Sequence, residues 1–277
     1  MRPYYPLLTS TLLLLSAGAG AALAQTPVIM PGGVLNAASS DQTGLPLALG
    51  SMIAIYGSNL APQTDVASTI PYPSTIDGVT VTVNNVLAPL QVVSSGQINA
   101  QIPWEALAVN PPVTNMSATV VVSTKLGGSS APASITIGPA GPGIFTFGFG
   151  PGQAIAYNYS DATFASSGPI ANFPSLPYRA VKINDLLVVY ATGLGAVSPP
   201  VATGAGATGV SSTLITPTVL VGGVAANVPF SGLSPYPGVY QLNVVLAAGT
   251  PTGAAVPLQI QMGGVTSRAD VTIAVSQ

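Results

Sequence analysis

The 277-residue sequence contains no cysteine and no histidine. Without cysteine the chain can form no disulfide and no reactive thiolate, and without histidine it can form neither a Ser-His-Asp triad nor a Cys-His pair. The usual ligands of zinc are missing for the same reason. We therefore predict no cofactor, no metal site and no catalytic residue.

Charge is also scarce, because Asp, Glu, Lys and Arg together make up 4% of the residues, against roughly 25% in ordinary soluble domains. The five basic residues form no cluster, which excludes nucleic acid as a partner. Apolar residues make up 48% of the chain, so the composition is not that of a disordered protein. Weak repulsion between copies leaves self-association open.

Long apolar runs are missing after residue 24. The first 24 residues combine Arg2, an apolar run over residues 7–15 and the small residues Ala22 and Ala24, which is typical of a secretory signal peptide cleaved before Gln25. The alternative is a membrane anchor, but Gly and Ala dilute the segment before it reaches the ~20 apolar residues of a span. We expect a protein that is secreted or at the cell surface, with no transmembrane span after cleavage.

What the chain does contain is β-strand patterning, clearest over residues 79–104. Valines at 79, 81 and 83 alternate with threonines at 80 and 82, which predicts a strand with one buried face. Asn84-Asn85 predicts a tight hairpin turn, since Asn tolerates left-handed backbone angles. Pro89 interrupts the return strand, which must therefore be an edge strand or carry a bulge there.

A second copy of this stretch begins at residue 219, with Gly222-Gly223 in place of the two asparagines and a later Gln-x-Asn in both copies. The blocks before and after also recur in the same order, and no convincing amphipathic helix is present. We predict an all-β protein with two tandem Ig-like β-sandwich domains. The predicted bounds are residues 1–24 for the signal peptide, 25–140 and 181–277 for the domains, and 141–180 for a connection rich in Gly, Pro and aromatic residues.

The predicted connection carries Phe145, Phe147 and Phe149 at alternate positions, followed by Tyr157 and Tyr159. One interpretation is that these rings pack between the two domains, because large aromatics dominate buried cores. The other is that they form a stacking platform for a sugar or a peptide. Phe145, Phe147, Tyr157 and Tyr159 are therefore candidate ligand-facing residues.

The repeated amides, Gln97 with Asn99 and Gln241 with Asn243, also allow two interpretations. As structural groups, one amide of each pair would bond loop backbone near a sheet end, since buried amides need partners. As functional groups, the pairs would face a sugar. All four residues are candidate ligand-facing positions.

The seven carboxylates are dispersed, and no two lie within three residues of each other. No calcium loop of the alternating-Asp kind is present. A glycosidase needs only two carboxylates, which can come from distant positions. Asp77 and Glu105 flank the central stretch and form the least unfavourable pair, against the simpler interpretation that isolated acids sit exposed at the surface.

Several short sequence segments, taken together, resemble those of an uncharacterised family of exported bacterial domains first noticed in Solibacter and other Acidobacteria. They begin with the lead-in Asn36-Ala37-Ala38-Ser39 and the strand end Tyr56-Gly57-Ser58-Asn59-Leu60. They continue through residues 81–90, 97–105 and 141–145, and through 190–195, 221–223 and 240–244. The single units are also similar to the IPT/TIG class of Ig-like domains. The resemblance implies no accepted activity and no catalytic residues.

These observations favour a secreted, non-enzymatic Ig-like module for extracellular or cell-surface interaction, through adhesion or through polysaccharide or protein binding. A structural subunit that packs through uncharged sheet edges is the alternative. A hydrolase that uses distant carboxylates is a further alternative.

Overall fold

The computed structural model describes residues 25–277, so the predicted signal peptide lies outside the described residues. Within this range the chain forms strands, turns and loops and no helix, and accordingly no helix there could cross a membrane. The predicted all-β, Ig-like fold class is confirmed.

Strands β1–β11 belong to the first half of the chain. They are β1 (Val28–Asn36), β2 (Leu47–Ala48), β3 (Met52–Ser58), β4 (Asp65–Val66), β5 (Val79–Val83), β6 (Val86–Leu87), β7 (Leu90–Val93), β8 (Gln97–Gln101), β9 (Met116–Thr124), β10 (Gly128–Ser129) and β11 (Ala133–Gly138). They form two sheets, one ordered β1-β3-β8-β7-β4 and the other β2-β11-β9-β5-β6, with β10 paired to β9.

Strands β12–β24 belong to the second half. They are β12 (Gly143–Ile144), β13 (Gly152–Gln153), β14 (Ala156–Asn158), β15 (Val181–Lys182), β16 (Leu186–Thr192), β17 (Val197–Ser198), β18 (Ser212–Thr213), β19 (Thr218–Val221), β20 (Val224–Leu233), β21 (Tyr240–Val245), β22 (Gly253–Met262), β23 (Val265–Thr266) and β24 (Val271–Ser276). Their main path runs β12-β16-β21-β20-β19-β22-β24-β13.

The pairing pattern of the first half recurs in the second. The neighbours β3, β8 and β7 correspond to β16, β21 and β20, and the neighbours β5, β9 and β11 correspond to β19, β22 and β24. We call the group β3, β8 and β7, and its counterpart β16, β21 and β20, the front sheets. The group β5, β9 and β11, and its counterpart β19, β22 and β24, are the back sheets. The sequence repeat therefore corresponds to a repeat of strand order.

The alternation of residues 79–83 has the predicted effect. The three valines of β5 are fully buried and the threonines between them are half-buried. Both turn asparagines have positive φ, 47° at Asn84 and 65° at Asn85, as do Gly222 (58°) and Gly223 (81°) in the second copy. Positive φ at both central residues is what a two-residue hairpin requires, so the predicted turn is confirmed.

The return strand after this hairpin changes sheets at a proline. β6 pairs with β5 in the back sheet, whereas β7, which begins just after Pro89, pairs with β8 in the front sheet. In the second copy the long strand β20 makes the same change, with a register shift between Asn227 and Phe230 that contains Pro229. Proline suits this point because a residue that leaves one ladder needs no backbone donor there.

The segment 141–180, predicted as a connection, supplies outer strands to the second half. β12 and β14 pair with β16, and β13 pairs in parallel with β24. In the first half the corresponding outer strands are β1, which pairs with β3, and β2, which pairs in parallel with β11. The division of the chain at residues 140 and 180 remains a prediction.

Candidate functional site: a groove of amides and aromatic rings

The two front sheets present the same polar group on their outer faces. In β8 the residues Ile98 and Ala100 point into the core, so Gln97 and Asn99 point outward and are half-buried. Tyr56 lies directly opposite Gln97 on β3. The second copy repeats this arrangement, with Tyr190 opposite Gln241 and with Asn243 two residues further along β21.

Within each copy the amides bond each other. Gln97 Nε2 donates to Asn99 Oδ1 over 2.8 Å, and Gln241 Nε2 donates to Asn243 Oδ1 over 2.9 Å. Asn99 Nδ2 also donates to Gln91 Oε1 over 3.4 Å. The interpretation that these pairs bond loop backbone is wrong. Since a primary amide has two N–H donors and one acceptor oxygen, each ladder fixes its side chains and leaves groups for a ligand.

The amides of the first copy line a cavity of about 470 Å³. Its lining residues from the first half are Ala37, Met52, Tyr56, Gln91, Gln97 and Asn99, and those from the second half are Phe145, Phe149 and Val239. The cavity therefore lies between strands of the first half and segments of the second. It brings together three of the candidate residues, Gln97, Asn99 and Phe145.

Phe149 is an exposed ring held in an unfavourable backbone conformation. Its side chain is 72% exposed and its φ is +54°, in the left-handed region that bulky residues rarely adopt. The turn is fixed by Thr146, whose hydroxyl donates to Gly150 O and accepts from Gly150 N, both over 3.0 Å. Strain of this kind persists where the surroundings impose it, commonly at ligand-binding positions.

A second cavity of about 350 Å³ shares Phe145 and Val239 with the first. Its other lining residues are Ile155, Tyr190 and Tyr236, and the Tyr236 side chain is 57% exposed. We call these two cavities together the amide–aromatic groove, because they share two lining residues. The lining combines amides with aromatic and aliphatic side chains.

The groove contains no charged side chain in either lining set. Burial and the hydroxyl of Tyr157 together raise the pKa of Tyr190 to about 12, so this phenol stays neutral at any physiological pH. The Tyr157 and Tyr190 rings lie 6.2 Å apart, centroid to centroid. The site is suited to a neutral ligand with both apolar and hydroxyl or amide groups.

Buried hydrogen bonds join the two halves around the groove. Thr192, fully buried, accepts from Met52 N over 2.9 Å and donates to Gly238 O over 2.7 Å. Asn36 Nδ2 donates to Gly141 O over 2.9 Å. The side chain of Gln101 does bond loop backbone, because it donates to Gly50 O and accepts from Gly204 N.

The remaining candidate residues line neither cavity. Phe147 packs edge-on against Phe164, with ring centroids 5.2 Å apart, and Tyr157 contacts Tyr190. Gln241 is the cross-strand neighbour of Tyr190 but lines neither cavity, and Tyr159 is 65% exposed outside both linings. The sequence repeat could have identified Tyr56 and Tyr190, since each lies two residues before the end of the matching strand of its copy.

Asp77 and Glu105 do not form a catalytic pair. Asp77 lies just before the start of β5. Glu105 lies near the other end of this strand, because the carbonyl of its neighbour Ala106 accepts a hydrogen bond from the side chain of Asn84. The length of β5 puts roughly 20 Å between them at about 3.3 Å per residue, beyond the ~5–9.5 Å of glycosidase carboxylates. Within residues 25–277, no group of three or more Asp and Glu side chains could hold a metal ion.

The 157–185 segment that supports the groove is fastened by an ion-pair network. Arg179 Nε lies 2.6 Å from Asp161 Oδ2, and Arg179 Nη1 lies 2.7 Å from Asp185 Oδ2. Hydrogen bonds from Thr163 and Arg179 lower the pKa of Asp161 to about 2. Burial opposes the shift at Asp185, but bonds from Arg179 and Lys182 still lower its pKa.

This network predicts a specific response to acid. A carboxyl whose pKa is lower in the folded protein stabilises the fold above its unfolded pKa of ~3.9, and this contribution disappears as pH falls toward about 2. We expect Asp161→Asn to lower Tm at pH 6, and the difference from the unsubstituted protein to shrink below about pH 4 and to be mostly lost at about pH 2. Differential scanning calorimetry across this range measures the effect, with Asp65→Asn as the exposed control. A Tm difference that is constant with pH would refute the assignment.

Residues 39–137 match the IPT/TIG domain family. They extend from just after β1 into β11, so the first half contains an IPT/TIG-like, Ig-type unit, as the resemblance implied. The closer resemblance to the Solibacter and Acidobacteria family remains a prediction. A comparison with curated proteins gives no match.

Three solved structures align with the chain at low identity and low TM-score. The chain aligns over its whole length with 20% of the plexin A4 extracellular region, at 12% identity and a TM-score of 0.27. It aligns over 84% of its length with 44% of SGBP-B from the Bacteroides ovatus mixed-linkage glucan utilization locus, in complex with a mixed-linkage heptasaccharide, at 8% identity and a TM-score of 0.31. The D00-D0 domain of intimin aligns over 99% of its length with 88% of this chain, at 10% identity and a TM-score of 0.21.

The chain thus spans about a fifth of the length of the plexin chains that it matches. TM-scores this low support no conclusion about ligands.

Proposed function

We propose that the protein is an exported, non-enzymatic Ig-like module that binds an extracellular polysaccharide in the amide–aromatic groove. The observation that carries this proposal is that the amides Gln97 and Asn99 line the same cavity as the rings Phe145 and Phe149. A sugar ring has an apolar C–H face and an edge of hydroxyl groups. Aromatic rings and amides in one lining match these two surfaces, and binding sites of this kind combine apolar lining with a few placed polar groups.

The groove is also organised before any ligand arrives. The amides are held by the ladder that joins Gln97, Asn99 and Gln91, and the Phe149 turn is held by Thr146. Binding then costs little ordering of side chains, which preserves affinity for a ligand that offers only hydroxyl groups and C–H surfaces. A neutral polysaccharide fits a lining without charge.

The test is a titration of the purified protein with neutral and acidic polysaccharides, by affinity electrophoresis and calorimetry, with a check for released reducing ends. We expect saturable binding to a neutral polysaccharide without products. We also expect the same Kd at about 0.05 M and about 0.5 M NaCl, because salt screens only charged contacts.

Three results would contradict the proposal. One is the absence of binding to every polysaccharide at high protein concentration. Another is binding restricted to acidic polymers and lost in salt. The third is the release of products, which would favour a hydrolase. If the protein instead forms larger particles as its concentration rises in light scattering, the structural-subunit alternative gains support.

A further inference from the structure

The outer face of the second half carries more aromatic rings than the groove uses. Thr146 and Ala154 face each other in a β-bridge and are both buried. Residues alternate across a strand, so Phe145 and Phe147 point to the opposite, outer side. Ile155 and Tyr157 point outward in the same way, and the half-buried state of all four side chains agrees with this orientation.

These rings form an unbroken series of contacts that begins at the groove. From Tyr190, which lines the groove, centroid distances are 6.2 Å to Tyr157, then 6.4 Å to Phe164, 5.2 Å to Phe147 and 5.4 Å to Phe173. We call these five residues the aromatic row. None of the five is fully buried, and Phe173 at the far end is 44% exposed.

Mutual packing alone does not account for this arrangement. Rings that only fill a core lose most of their exposure, as the buried side chains of β5 and β16 do. The row instead keeps part of each ring accessible. The chain beside Phe164 is held by the fully buried Asn158, whose Nδ2 donates to Thr163 O over 3.1 Å. The rings of the row therefore contact one another and stay accessible.

We infer that the polysaccharide site continues from the groove along the aromatic row to Phe173. This inference rests on the function proposed above and specifies its ligand. The ligand is a long, neutral polymer, with some sugar units in the groove and further units stacked on Phe147 and Phe173. A single sugar would leave the row unused.

The test is a chain-length series of oligosaccharides, prepared from the neutral polysaccharide that binds best, with Kd measured by calorimetry. For the unsubstituted protein we expect affinity to rise with length until the row is filled and then to level off. Phe173→Ala should weaken the binding of long oligosaccharides by about tenfold, the effect of losing one stacked ring, and leave the shortest binding oligosaccharide unaffected. Phe173→Leu, which keeps an apolar contact with Phe147, should give the same pattern with a smaller loss and an unchanged Tm.

Two results would overturn the inference of an extended site while leaving the proposal of binding in the groove intact. One is an affinity that does not increase beyond the shortest oligosaccharide that binds. The other is an equal loss at every length in Phe173→Ala, which would indicate a loosened structure. Phe149→Ala serves as the groove variant and should weaken binding at every length. Absence of binding at all lengths would overturn the proposed function, and this inference with it.

Discussion

Phe149→Ala is expected to weaken polysaccharide binding by roughly 10- to 100-fold while the protein stays folded. The ring is 72% exposed without ligand, so it packs against little else in the molecule. Covering it with a sugar face would bury apolar surface worth ~1.5–3 kcal/mol, and each ~1.4 kcal/mol corresponds to a tenfold change in Kd. Calorimetric titration with a binding neutral polysaccharide measures the loss.

Phe149→Gly sharpens this test, because it removes the ring and also relieves the backbone. A left-handed conformation costs a non-glycine residue roughly 1–2 kcal/mol, and glycine adopts it freely. We expect Phe149→Gly to raise Tm and to lose binding as Phe149→Ala does. The control is Leu126→Ala, at an apolar position that is 79% exposed and lies outside the groove. It should change neither Tm nor polysaccharide binding. If both Phe149 variants bind as tightly as the unsubstituted protein, the Phe149 ring is not part of the binding site.

Thr192→Val is expected to cause a large loss of stability. Valine has the shape of threonine but cannot bond Met52 N–H or Gly238 C=O, and both residues are buried. Each unsatisfied buried group costs ~1–3 kcal/mol, so we expect a loss of roughly 2–5 kcal/mol. In a chain of this size that corresponds to a fall in Tm of about 5–15 °C, measurable by calorimetry.

The matched control is Thr192→Ser, which keeps the hydroxyl and loses one methyl group. It should cost about 1 kcal/mol and retain binding. Thr192→Val should also weaken polysaccharide binding, because Gly238 adjoins Val239 in the groove lining. A Thr192→Val protein as stable as Thr192→Ser would show that this hydroxyl does not hold the two halves together.

Much of the fold could be predicted from short-range patterns. The alternation of Val and Thr in residues 79–83 sets one buried face, and the pairs Asn84-Asn85 and Gly222-Gly223 permit the positive φ of a tight turn. The repeat then extends each local pattern to a second copy. These features depend on neighbours within a few residues, and they are therefore readable in a single sequence.

The outer strands β1 and β2 could not be recognised in the same way. Pro31-Gly32-Gly33 interrupts the alternation within β1, where the register shifts between Ile29 and Val34. β2 has only two residues and pairs with β11, far along the chain. Long-range pairing of this kind decides the structure of a short or irregular strand, and local composition does not.

The groove was predictable in part. The sequence identified Gln97, Asn99 and Phe145 as candidates, and the structure places all three in one cavity. It did not single out Tyr236, which reaches the groove from a loop, because loop positions follow no periodic pattern. The sequence also could not show that Asn36 of the lead-in bonds Gly141, 105 residues away.

The most direct test of the groove is hydrogen–deuterium exchange measured by mass spectrometry, with and without a saturating neutral polysaccharide. Bound ligand lowers local opening and so slows exchange of the amides it covers. We predict protection in residues 91–99, 145–155 and 236–241, with no change in the loop after β9 that carries Leu126. Protection confined to other segments, such as the cavity beside Trp104, would contradict the assignment of the amide–aromatic groove as the binding site.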